Sequence, residues 1–133
     1  MVMDKPIVTG AVARGGGHPR KCTDTLELQA VTVEWLGRRH VLGTLNVWVV
    51  SESLPVWNAL RDRPWRAERQ PEGFDRETKV RLYRLEISGS VRTVGVTLDS
   101  ALYPHNSVEL LAAENLRDRL GLQDSDPVTL TFV

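Results

Sequence analysis

The sequence predicts a mainly β protein, closed or nearly closed into a small barrel, with a few short helices. Two observations carry this. Short runs rich in Val, Thr and Leu recur along the chain, and turn residues such as Ser88-Gly89-Ser90 and Tyr103-Pro104-His105-Asn106 separate them. Many short strands leave edges that invite unwanted pairing, and closure removes those edges. With 133 residues, 41% of them apolar, the chain is long enough to bury a core as one domain over residues 1–133.

Taken in order, Ile7 to Val12 is a short β segment, read as broken at Gly10. Arg14 to Lys21 holds three consecutive glycines, which disfavour any regular element because they carry the largest backbone entropy. Leu26 to Trp35 alternates as a strand does, with a helical alternative open over Thr25 to Ala30. Val41 to Val50 is an apolar, β-branched run and reads as a strand. Ser53-Leu54-Pro55 reads as a helix start running to about Leu60, with Ser53 as the cap and Pro55 in the first turn. Residues 61–78 are charged and contain Pro64, Pro71 and Gly73, so an exposed irregular excursion is expected, pinned by Trp57 and Trp65. Lys79 to Ile87 alternates with a phase slip, and Val91 to Leu98 is its hairpin return. Val108 to Ala112 is a buried strand. Glu114 to Leu120 is helical and stops at Gly121, and Val128 to Val133 is the closing strand.

Composition narrows the function. Seventeen basic residues balance seventeen acidic ones, so broad electrostatic binding to nucleic acid or membrane is not expected. Cys22 is the single cysteine, which rules out an internal disulfide and points to a reducing compartment. Met1 to Ala13 has no long apolar core, so no secretory leader is read there, and no run is long enough to span a bilayer. A cytoplasmic monomer is the expectation.

Three places carry chemistry. On a strand, Thr44, Asn46 and Trp48 point the same way. A hydroxyl and a carboxamide oxygen at that spacing suit a hard cation such as Mg²⁺, which completes its shell with water and phosphate. The loop Gly15-Gly16-Gly17-His18-Pro19-Arg20 combines close backbone approach with positive charge, as phosphate binding requires, although it is not a Walker sequence. Glu109 sits between Val108 and Leu110 on an apolar strand, so it is either paired with Arg117 or another nearby arginine or faces a cleft. His18, His40, His105 and Cys22 lack zinc-site spacing, and no serine sits in a nucleophile elbow.

These stretches line up in one order: Thr9 to Gly17, then Gly43-Thr44-Leu45-Asn46-Val47, then Val108-Glu109-Leu110-Leu111-Ala112-Ala113-Glu114-Asn115-Leu116-Arg117, followed by Leu122 to Val128. The pattern resembles the archaeal CTP-dependent riboflavin kinase family, and Lys79 to Ile87 resembles its central hairpin strand. The resemblance implies a six-stranded cradle-loop (RIFT-like) β-barrel that transfers the γ-phosphoryl of CTP to riboflavin, giving FMN and CDP. By position it implies that Gly15 to Arg20 and Glu114, Asn115, Leu116 and Arg117 contact the nucleotide. It implies that Thr44 and Asn46 hold Mg²⁺, and that Ser100, Ala101 and Glu109 contact the flavin, with Glu109 also the catalytic candidate. The chain departs from the pattern at His18 and Pro19, at Ala101 where the family has a threonine, at Ala113 and at Ser125. Alternative readings are a non-catalytic flavin- or nucleotide-binding module, a kinase of another small alcohol, and an AbrB-like DNA-binding barrel.

Overall fold

The computed structural model describes residues 5–14, 26–41, 44–69, 79–99 and 104–133. Its strands are β1 (Ile7–Val12), β2 (Leu45–Val49), β3 (Arg66–Arg69), β4 (Lys79–Ile87), β5 (Val91–Leu98), β6 (Ser107–Leu111) and β7 (Pro127–Phe132). Its helices are α1 (Leu26–Leu36), α2 (Leu54–Arg61) and α3 (Leu116–Leu120). Six strands pair in the order β4-β5-β6-β2-β1-β7, and β7 returns to β4 to close an antiparallel barrel. The fold class read from the sequence is therefore the one observed.

β4 is long enough to serve two neighbours on one side. Its start pairs with β3 (Arg69↔Lys79 to Arg66↔Leu82), and its end pairs with β7 (Leu85↔Phe132 to Ile87↔Leu130). β3 is thus a seventh strand outside the ring. This corrects the expected irregular excursion over residues 61–78: 66–69 are sheet, and 70–78 lie outside the described residues. The free edge of β4 is the physical reason, because it offers ladder partners that a charged segment can satisfy as well as an apolar one.

The barrel interior is filled by side chains, among them Val8, Val47, Leu85, Val108, Leu110 and Leu130. Trp57 of α2 is fully buried and packs against Tyr83 and Phe132, with ring centroids 5.8 and 6.0 Å away. Its indole nitrogen donates to the His105 carbonyl at 2.7 Å. Trp57 therefore anchors α2, just before the segment it was expected to pin, while Trp65 packs against a second core.

That second core lies outside the barrel wall, where Leu28 of α1 meets Val80, Leu82, Val94, Val96 and Leu111. The strand reading of Leu26 to Trp35 fails here. Leu28, Val31, Trp35 and Leu36 recur at helical spacing, and as a helix they bury against the sheet. Tertiary packing overrides the β-branched content of Val31-Thr32-Val33. Cation–π contacts reinforce the seat: Arg92 lies 4.3 Å from the Trp35 ring, and Arg84 lies 5.7 Å from Trp35 and 5.5 Å from Trp65. The covering helix also explains β4. No phase slip is needed, because Val80 and Leu82 face the second core while Tyr83, Leu85 and Ile87 face the first.

β1 runs unbroken through Gly10, which is a point of close approach. A Cβ there would collide with Val47 Cγ1 and lie 2.8 Å from the Trp48 carbonyl oxygen. Gly10→Ala is expected to cost about 1–3 kcal/mol, as overpacking against backbone does, and urea denaturation measures it.

Tyr83 Oη donates to the Arg61 carbonyl at 2.6 Å. Burial raises its phenol above the ordinary value of 10.0. A raised folded value means that the neutral phenol's contribution is whole below the unfolded pKa and is lost as pH climbs through the folded one. Tyr83→Phe is expected to cost about 1 kcal/mol at pH 7 and to flatten the alkaline fall in stability above about pH 10. Melting curves across that range give both readings.

Candidate active site on the outer barrel wall

The strand at the centre of the sequence pattern alternates as anticipated. Leu45, Val47 and Val49 are buried in the barrel, and Thr44, Asn46 and Trp48 take the opposite phase on its outer wall. β6 lies beside β2 in the register Asn46↔Glu109 and Trp48↔Ser107. Directly paired residues share a face, so Glu109 stands next to Asn46. Glu109 is only 3% exposed. Thr44, Asn46 and Glu109, picked out separately from the sequence, thus form one polar cluster on an otherwise apolar wall.

Thr44 Oγ1 and Asn46 Oδ1 are both buried and have no hydrogen-bond partner among the described residues. An orphaned buried oxygen costs about 1–3 kcal/mol. Two side by side, with a carboxylate adjacent, match the donor set of a hard oxygen-binding cation.

The root of the glycine segment is held against this cluster. The Ala13 amide donates to the Asn46 carbonyl at 2.8 Å, and Arg117 Nη2 donates to the Ala13 carbonyl at 3.1 Å. The acidic turn clasps the same point: the Val12 amide donates to the Asp126 carbonyl at 2.9 Å, and the Ser125 amide to the Val12 carbonyl at 2.8 Å. Ser125, at the family's turn glycine, adopts φ 70°, the left-handed conformation that glycine takes more easily.

The late segment divides its roles. Arg117 also pairs with Asp124 at 2.8 Å and projects a guanidinium toward the β1 end. Asn115 caps α3, its Oδ1 accepting from the Asp118 amide at 3.1 Å, and Gly121 ends that helix at φ 64°. Leu116 is buried in the barrel core, so its side chain is structural and only its backbone remains for a ligand. Glu114 is exposed and pairs with Arg119 at 3.2 Å and Arg38 at 3.8 Å. Gly15, Gly16, Gly17, His18, Pro19, Arg20, Ser100 and Ala101 lie outside the described residues.

Sequence reading missed Ser107 on this wall and the contact of His40 with α1. Ser107 begins β6 and shares the face of Glu109, which strict alternation back from Glu109 would have shown. His40 is buried, with Nδ1 3.0 Å from Thr32 Oγ1, and fixes the end of α1 just before the Thr44 strand. No sequence signal marks that pair, because α1 was read as a strand.

With the interior filled by side chains, this is a small closed-barrel protein whose Thr44–Asn46–Glu109 cluster stands on the outer wall. A model of the CTP-dependent riboflavin kinases, described as a domain of unknown function, DUF120, matches residues 12–132. The riboflavin kinase of Methanobrevibacter smithii is 31% identical over 96 residues, which is 72% of this chain and 75% of that protein. The chain belongs to the CTP-dependent riboflavin kinase family, a family of phosphotransferases.

Proposed function

We propose that this chain transfers the γ-phosphoryl group of CTP to the 5′-hydroxyl of riboflavin, giving FMN and CDP. The observation that carries the reading is the orphaned Thr44–Asn46 oxygen pair beside buried Glu109, inside the matched residues 12–132. Phosphoryl transfer asks a protein mainly for positioning and for neutralisation of charge.

Each group has a task. Thr44 Oγ1 and Asn46 Oδ1 would hold Mg²⁺, which would offset the negative charge of the phosphates. Arg117 adds positive charge where the glycine segment leaves β1. Glu109 orients the acceptor hydroxyl and takes its proton as the oxygen attacks phosphorus.

The test is a direct assay of purified protein with riboflavin, Mg²⁺ and either CTP or ATP, with FMN followed by chromatography. FMN from CTP but not ATP is the expected result. Folded protein that yields no FMN with either donor would overturn the reading.

A further inference from the structure

We propose that Trp48 is the stacking platform for the acceptor's flavin ring, and so a specificity-determining residue of this site. The inference rests on the kinase reading above and adds to it where the ring lies.

Three of the four tryptophans are engaged. Trp57 is buried among Tyr83 and Phe132, Trp35 donates to the Thr93 carbonyl at 2.9 Å and lies under Arg92, and Trp65 lies under Arg66 and Arg84. Trp48 alone has no side-chain hydrogen bond or ring contact among the described residues, and it is 42% exposed. Its cross-strand neighbours are Ala11 and Ser107, both too small to cover an indole. A half-exposed indole flanked by small residues leaves an open face, and a flat ring system is the best match to it.

Its position selects which ring. Trp48 follows Asn46 by two residues on the same face, about 6.7 Å along the strand. Riboflavin carries its reacting hydroxyl at the end of an extended five-carbon chain of similar length. A hydroxyl at the Asn46–Glu109 pair therefore sets the isoalloxazine over Trp48. The donor comes from the other direction, since Ala13 and Arg117 mark the Thr44–Asn46 end of the row. In-line transfer puts donor and acceptor on opposite sides of phosphorus, which leaves the Trp48 side to the acceptor.

The experiment titrates riboflavin into the full chain and follows quenching of the flavin fluorescence, for wild type, Trp48→Thr and Trp48→Phe. Threonine keeps strand propensity and removes the ring, whereas phenylalanine keeps a smaller ring. Trp48→Thr is expected to weaken riboflavin binding by about tenfold, the scale of one lost stacking contact. Trp48→Phe is expected to stay within about threefold of wild type, and the KM for CTP should hold in both. Unchanged riboflavin affinity in Trp48→Thr overturns the proposal, and FMN production by the wild type then leaves the kinase reading standing. Parallel losses for riboflavin and CTP also overturn it, because they mark a general distortion. A wild type that neither binds nor phosphorylates riboflavin overturns both.

Discussion

Asn46→Ala is expected to lower Mg²⁺-dependent FMN formation by at least about a hundredfold, the scale seen when one preorganised charge-stabilising group is removed. The fold should survive. Asn46 has its backbone in the β1–β2–β6 ladder, and its side-chain oxygen contributes no hydrogen bond among the described residues. Removing an orphaned buried oxygen leaves thermal stability level or slightly raised, whereas removing a satisfied one would lower it by about 1 kcal/mol. Melting temperature and turnover measured on one preparation therefore separate the two roles. Wild-type turnover in Asn46→Ala removes this residue from the metal site.

Glu109→Gln should reduce kcat by about a hundredfold or more, the lower range for general acid–base catalysis, with a smaller change in KM for riboflavin. Glutamine keeps the shape and one carbonyl oxygen but cannot accept a proton. The acid limb of the pH–rate profile should flatten with it, a signature that a purely structural carboxylate would not produce. The opposite outcome has a clear meaning. A protein that melts several degrees lower, with undiminished turnover per folded molecule, makes Glu109 a structural ion-pair member.

Much of this site is legible in the sequence because strands impose a period of two. That period puts Thr44 and Asn46 on one face without further information. The turn chemistry was equally direct. Gly121 ends α3 in the left-handed conformation, and Ser88-Gly89-Ser90 closes the β4–β5 hairpin. The Ser53–Pro55 signal likewise placed α2 at Leu54–Arg61 with Pro55 in its first turn, but Ser53 does not cap it: its Oγ accepts from the Thr9 amide at 3.0 Å instead.

Other features depended on neighbours far away in the chain. Leu26–Leu36 holds the β-branched run Val31-Thr32-Val33, and it is a helix because a second apolar surface on β4, β5 and β6 waits for its Leu28–Val31–Trp35 stripe. Arg66–Arg69 is a strand because β4 outruns its pairing with β7. Gly10 reads as a break in isolation, yet β1 continues through it because β2 crosses too closely for any side chain.

The sequence by itself determined the barrel class, the places of β1, β2 and β4 to β7 along the chain, and the residue types that suit phosphate and metal chemistry. Local pattern is enough for these, since period, turn residues and side-chain oxygens are properties of neighbouring positions. Only the tertiary structure decided that Asn46 and Glu109 are cross-strand partners, that Arg117 reaches Ala13, and that Leu116 is core. Those facts depend on register and closure, which are set by the summed packing of both cores and appear in no single stretch of the chain.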